Sequence, residues 1–309
     1  MLIRLLAWPM PCAGADWNVA IFDYDDRLHE ADTVAKYLER QLTAAEPAIR
    51  VKQFSGKGDE QVAIATLKEL DRAGYDLIIT ITSDALILAQ HFLRQTPTLY
   101  TNVNDPLSLG VATLDAPGGN ISGASYYVPV REQLALFTEI QPNIKTIGFI
   151  FDETNRSRQA EVRESRNTCL DMGLRTEIRL ITRAEELPIN VAELLNAEVD
   201  AIVVTSSETI YDNIARFKPL CDQAGIPIYA YHRNAVERGA IAALSSDYYV
   251  IAEQLVVPMA LRALREHISP GTFPAAFLED HLIFINLTEA NWLGLQIPPS
   301  IIQRATKIY

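Results

Sequence analysis

The chain has 309 residues, 49% of them hydrophobic and 21% charged, the balance of a globular protein long enough for two cores. A formal net charge of −12 excludes a nucleic-acid partner, which needs a basic face. No apolar run is long enough to span a bilayer.

The first fifteen residues differ from the rest. Met1 to Arg4 is a small basic start, 5–11 is a short apolar run, and Ala13-Gly14-Ala15 is an A-x-A cleavage pattern. This predicts a short secretory signal cut before Asp16, hence export to a periplasmic or other extracytoplasmic compartment. The competing reading is a frayed tail or a misplaced start.

From there the chain alternates. Strands are expected over 18–22, 49–54, 77–82 and 98–101, and helices over 28–45, 60–73 and 85–94. Further expected elements are a strand over 121–125, helices over 130–140 and 158–172, and a long helix over 250–267. Such alternation predicts an α/β fold with a parallel sheet and helices on both faces. Cys169 and Cys221 fall on expected helices of opposite faces, so a disulfide is improbable and two buried free thiols are expected.

The second half repeats the first. Val19-Ala-Ile-Phe-Asp23 matches Gly148-Phe-Ile-Phe-Asp152, and Tyr75-Asp-Leu-Ile-Ile-Thr-Ile-Thr-Ser83 matches Val199-Asp-Ala-Ile-Val-Val-Thr-Ser-Ser207. Gln95-Thr-Pro-Thr-Leu-Tyr100 matches Gly225-Ile-Pro-Ile-Tyr-Ala230. Three matches in order, at nearly constant offset, predict two similar doubly wound lobes with a ligand cleft between them. The expected division is 16–126 with 248–276, and 127–247 with 277–309, with crossings near Tyr126 to Pro129 and Ser246 to Tyr249.

In open α/β sheets ligands bind beyond the carboxyl ends of the strands. That rule places Asp23, Tyr24, Ser83, Asp84 and Asn104 on the first lobe. On the second it places Asp152, Asn155, Ser157, Ser206, Ser207, Tyr231, His232 and Asp247, with Tyr126 and Tyr127 at the crossing. Each has a plainer reading. Ser83, Asp84, Ser206 and Ser207 are good helix N-caps, and Asn155 and Ser157 either cap the helix after them or hold a carboxylate there. Tyr126 and Tyr127 should alternate, so that one of them faces the cleft. His232 reads equally as a structural histidine, and Arg233 could relieve repulsion between Asp23 and Asp247.

The motifs Asp105-Pro-Leu-Ser-Leu-Gly110 and Pro117-Gly-Gly-Asn-Ile-Ser-Gly123 resemble those of ABC-transporter substrate-binding proteins of the type that includes the tryptophan and tyrosine binders. The resemblance continues through Gln141-Pro-Asn-Ile-Lys-Thr-Ile-Gly148, Val236-Glu-Arg-Gly-Ala240, Asp247-Tyr-Tyr249, Ile285-Asn-Leu-Thr-Glu-Ala290 and Leu293-Gly-Leu-Gln-Ile-Pro-Pro-Ser300. It implies a type I periplasmic-binding-protein fold and uptake of a small solute, amino-acid-like, through an ABC permease with its ATPase. It also implies that Asn155-x-Ser157 contacts ligand. The chain departs from the common pattern at Asp23-Tyr24-Asp25-Asp26, Ser83-Asp84 and Tyr231-His232-Arg233-Asn234. The Pro-Gly-Gly-Asn stretch itself reads as a tight turn with an architectural role.

Two other classes compete with this reading. A sensory receptor of the same fold would close on its ligand but report to a kinase. Ile21-Phe-Asp23-Tyr-Asp25 resembles the nucleophile motif of haloacid-dehalogenase-like phosphatases, but no lysine and acidic loop can be placed to complete it. The reading is therefore a non-enzymatic, cofactor-free and metal-free binding protein, expected to act as a monomer.

Overall fold

The computed structural model describes residues 16–27 and 29–309, so the expected export signal over 1–15 lies outside the described residues. The strands, in chain order, are β1 (Trp17–Asp23), β2 (Ile49–Ser55), β3 (Leu77–Ile81), β4 (Thr98–Val103), β5 (Ile121–Ser125), β6 (Thr146–Asp152) and β7 (Arg175–Ile181). They continue with β8 (Ala201–Val204), β9 (Ile228–Ala230), β10 (Ala242–Ser245), β11 (Ala276–Phe277), β12 (Leu282–Ile285) and β13 (Lys307–Ile308).

The chain forms two compact units. One contains the residues up to Thr101, Asp115–Gly123 and Ala252–Ala275; the other contains Asn102–Leu114, Ala124–Ile251 and Ala276–Tyr309. One sheet has the order β11-β5-β4-β3-β1-β2 and the other β13-β12-β10-β9-β8-β6-β7. Both therefore contain the same five-strand order, 2-1-3-4-5 in the first and 7-6-8-9-10 in the second. The internal repeat read from the sequence is a repeat of topology: β1 answers to β6, β3 to β8 and β4 to β9. The pairings of β1 with β2 and β3, and of β6 with β7 and β8, are parallel, while β12 runs antiparallel to β10.

The central strands are buried on both faces, which is why their sequences are continuous apolar runs rather than alternating ones. Val19, Ala20, Ile21 and Phe22 of β1 are all fully buried. In the second sheet the strand period of two separates two cores. Ala201 and Val203 join Phe137, Phe149, Phe151 and Tyr229 on one face, while Ile202 and Val204 join Leu187, Val191, Leu194 and Phe217 on the other. Cys169 lies in the first core and Cys221 in the second, both buried and free, as their places on opposite faces led us to expect. Burial pushes both thiols up to about 12.

The helix bounds follow the periodicity closely, at His29–Ala45, Glu60–Leu70, Ser83–Phe92, Val130–Ile140 and Arg158–Asp171. The long helix expected over 250–267 is the exception. It runs as Tyr248–Ile251, a wide turn over Ala252–Val256 and a final helix Val257–Glu266. Pro258 sits at the start of that last helix. Proline lacks a backbone N–H and its ring crowds the carbonyl four residues back, so the turn before it widens.

The Pro-Gly-Gly-Asn turn is architectural. Gly118 and Gly119 both have positive φ, at 84° and 61°. Gly118 N donates to Gly271 O at 2.8 Å, and Ser269 Oγ donates to Gly119 O at 2.8 Å. The turn is thereby tied to the segment that follows the last helix of its unit.

Candidate functional site

In the second unit the carboxyl ends of β6, β8, β9 and β10 carry Asp152, Ser206 and Ser207, Tyr231 and His232, and Asp247. Asp152 and Ser207 join directly, with Ser207 Oγ donating to Asp152 Oδ2 at 2.7 Å, while Thr154 Oγ1 donates to Asp152 Oδ1 at 2.6 Å. Asp247 is paired with Arg233 at 2.6 Å, and its Oδ1 also accepts from the backbone N–H of Tyr249 at 2.8 Å. Asp247 thus has a cationic partner, Arg233, within this unit.

His232 is part of a row of rings. Tyr211 stacks on it at 4.5 Å between centroids, it leans on Tyr248 at 5.5 Å, and Tyr248 meets Tyr126 edge-on at 5.2 Å. Tyr211 and His232 are buried, while Tyr126 and Tyr248 are half-buried at the other end. Burial, with Arg233 and Arg238 nearby, lowers the His232 imidazole to about 3, so it is neutral at physiological pH. Its Nδ1 accepts from Asn234 N at 3.3 Å, which puts the ring proton on Nε2.

Asn104, Tyr126, Ser206 and Tyr231 come together around one narrow space of about 20 Å³, with Tyr127, Gln133, Glu161 and Glu164. This space is too small for an amino acid, and the polar groups around it are largely satisfied internally. Asn104 Nδ2 donates to Glu161 Oε1, and Tyr127 OH donates to Glu164 Oε1 at 2.6 Å. Tyr231 OH shares a hydrogen bond with Ser165 Oγ at 3.1 Å, and burial holds its phenol well above the ordinary value. Glu161 is buried, and desolvation raises its carboxyl to about 7 against the bonds from Asn104 and Ser206. Both Tyr126 and Tyr127 border this space. Strand alternation does not separate them because β5 ends at Ser125.

At the start of helix Arg158–Asp171, Asn155 Oδ1 accepts from Ser157 N at 2.8 Å, and Asn155 Nδ2 donates to Ser206 O at 3.3 Å. Ser157 occupies the N-cap position without capping, and its buried Oγ has no hydrogen-bond partner among the described residues. Of the two readings for this pair, the capping hydroxyl is therefore not the one the structure adopts. The same holds for Ser206 and Ser207: Ser207 is at an N-cap position but its hydroxyl bonds Asp152 instead.

In the first unit Asp23 and Tyr24 follow β1, and Ser83 and Asp84 open helix Ser83–Phe92 after β3. Asp23 Oδ1 accepts from Asp25 N at 3.1 Å, and Tyr24 O accepts from Gly58 N at 2.9 Å. The N-cap is Thr82 rather than Ser83 or Asp84, and it makes no side-chain capping bond. Its backbone is unusual, with φ 87° and ψ 161°, a region that is essentially glycine's. Asp25 is held by Arg27 through two bonds of 2.7 Å, which lowers its carboxyl. Asp25 thus stands as the ion-pair partner of Arg27.

A family model described as "ABC transporter substrate binding protein" matches residues 21–309. The chain belongs to this family. The resemblance read from the Asp-Pro and Pro-Gly-Gly-Asn motifs is thus borne out, and the family is one of substrate-binding proteins rather than enzymes. A relative named "Tyrosine-binding protein" from Clostridioides difficile is 26% identical over 72% of this chain, and the match spans 64% of that protein's length. Among solved structures, the chain is similar to an ABC domain in complex with L-Trp from Streptococcus pneumonia, at 22% identity and TM-score 0.80, covering 95% of this chain and 100% of that one. It is also similar to a conserved domain protein from Vibrio cholerae, at 23% identity and TM-score 0.81 over the same shares. A ligand-free, open substrate binding protein with adhesive properties from Clostridium difficile matches at 22% identity and TM-score 0.78, covering 94% and 98%. These likenesses establish the two-lobed α/β fold of type I periplasmic binding proteins.

For this ABC transporter substrate-binding protein, strand-end reasoning missed Glu161, Glu164, Tyr211 and Tyr248. Three of these lie on helices behind the strand ends, and Tyr248 opens the helix that follows Asp247. A signal for the first existed in the sequence. The inward face of helix Arg158–Asp171 is Glu161, Ser165, Thr168 and Cys169, polar or small where a core-facing helix is ordinarily apolar.

Proposed function

We propose that the chain is the solute-capturing component of an ABC importer and binds an amino acid with an aromatic side chain. The observation that carries this reading is the row Tyr211, His232, Tyr248 and Tyr126 in the second unit, which ends in two half-buried rings. Flat rings offer a partner an apolar face and edge-on contacts. The unpartnered Ser157 hydroxyl at the N-terminus of helix Arg158–Asp171 supports a carboxylate site, since N–H groups and the positive dipole end gather there. The names of the relatives, one tyrosine-binding and one bound to L-Trp, point the same way.

On this reading the two lobes close on the solute because only the closed form contacts it from both sides, and an ABC permease recognises that form. The chain works outside the cytoplasm as a monomer, without a cofactor. Asp23, Tyr24, Ser83 and Asp84 would furnish the first lobe's share of the contacts, and Asn155, Ser157, His232 and Asp247 the second's.

A thermal-shift screen of the purified chain against amino acids, short peptides, purines, sugars and polyamines tests this. Tryptophan, tyrosine or phenylalanine should raise the melting temperature, by the equivalent of about 2.7 kcal/mol at a hundredfold excess over Kd. Ser157→Ala should weaken that ligand by roughly tenfold, the worth of one hydrogen bond to a charged group, and leave the free protein's stability unchanged. A best hit from another class, or full affinity in Ser157→Ala, would sink the reading.

A further inference from the structure

Helix Arg158–Asp171 turns Glu161 and Ser165 inward, and its outer side forms a separate groove with β7. The groove has a volume of about 390 Å³, within the range of small-molecule sites. Its lining combines three arginines, Arg158, Arg163 and Arg166, with the apolar Val162, Ile178 and Leu180. Arg158, Val162 and Arg166 are four residues apart and share a helix face, while Ile178 and Leu180 alternate on β7 and so point the same way.

The charges here are poorly compensated. Arg163 and Arg166 are exposed and make no ion pair with another described residue. Arg158 reaches Glu153 only at 4.0 Å, and its Nε is buried with no hydrogen-bond partner among the described residues. A buried donor without an acceptor is costly, and three neighbouring guanidinium groups repel one another unless an anion lies between them. This concentration of cations stands against a chain whose net charge is −12. Guanidinium forks match the geometry of phosphate oxygens, and a phosphate ester dianion offsets more positive charge than a carboxylate does.

We propose that this groove is an anion site that takes a phosphate ester carrying an apolar substituent. Arg158, Arg163 and Arg166 bind the phosphate, and Val162, Ile178 and Leu180 receive the substituent. The site shares no residue with the proposed solute contacts and does not rest on that reading.

The test is calorimetric titration of the full chain with phenyl phosphate and with benzoate, alongside flotation with phosphatidylcholine vesicles with and without phosphatidic acid. Phenyl phosphate should bind at one site and more tightly than benzoate. Arg163→Gln with Arg166→Gln should weaken it by about tenfold or more, with an unchanged melting temperature because both side chains are exposed. Binding to phenyl phosphate alone identifies a soluble ester as the ligand; binding to phosphatidic acid vesicles identifies a lipid headgroup. The proposal is overturned if neither binds, if benzoate binds as tightly, or if the double variant binds as the native chain does.

Discussion

Burial disfavours the charged form of Glu161. Its carboxyl is raised from 4.5 to about 7 by desolvation, so the folded protein favours the protonated form over a range where the unfolded chain ionises. A raised carboxyl contributes stability that is fully present below the unfolded value and is lost as pH rises through the folded one. The loss from pH 4.5 to above 7 should be on the order of 3 kcal/mol. His232 works in the opposite sense. Its imidazole is lowered to about 3, so its contribution is present above 6.5 and lost as pH falls. The measurement that separates them is denaturant unfolding of the native chain and Glu161→Gln across pH 4.5 to 8. The variant should lose the decline towards high pH and keep the loss at low pH. Identical profiles would mean that Glu161 is ionised in the fold.

At the scale of elements, the turn from β3 into helix Ser83–Phe92 holds Thr82 at φ 87° and ψ 161°. A β-branched residue there carries about 1–3 kcal/mol of strain, and its buried Oγ1 has no hydrogen-bond partner among the described residues. Thr82→Gly removes the strain and gives back part of the gain as chain entropy in the unfolded state. The net result should be a protein more stable by about 1 kcal/mol in denaturant titration. A less stable variant would show that the threonine side chain holds the turn in a way its contacts do not reveal. Gly123 illustrates the reverse constraint. A Cβ there would run into the backbone of Tyr100 on the neighbouring strand, so the last glycine of the Pro-Gly-Gly-Asn motif region is required for β5 to lie against β4.

For the whole molecule, the chain belongs to the substrate-binding family and its two sheets repeat one topology; the proposed capture of a solute by lobe closure makes a prediction at this scale. The expected outcome in small-angle scattering is a smaller radius of gyration on addition of the amino acid that gives the thermal shift. An unchanged profile at saturation would rule out closure while leaving binding intact. The strong negative charge bears on solubility and association and has no bearing on which solute is chosen.

Burial pattern is written directly into the residues, and so the sequence by itself determined the architecture. Val19-Ala-Ile-Phe-Asp23 and Gly148-Phe-Ile-Phe-Asp152 had to be strands covered on both faces, and their spacing fixed the repeat. The family followed from motifs such as Pro117-Gly-Gly-Asn120, where a turn of positive φ permits few residues other than glycine. The tertiary structure alone decided which polar groups meet. Strand ends named Asn104, Ser206 and Tyr231 as neighbours of a site, but their partners Glu161 and Ser165 stand on a helix between them in sequence. Tyr211, His232, Tyr248 and Tyr126 are distant in the chain and form one row because the turns after β8, β9, β10 and β5 bring them there. Periodicity reports how a residue faces its own element; which side chains touch across elements depends on packing, and packing exists only once the chain has folded.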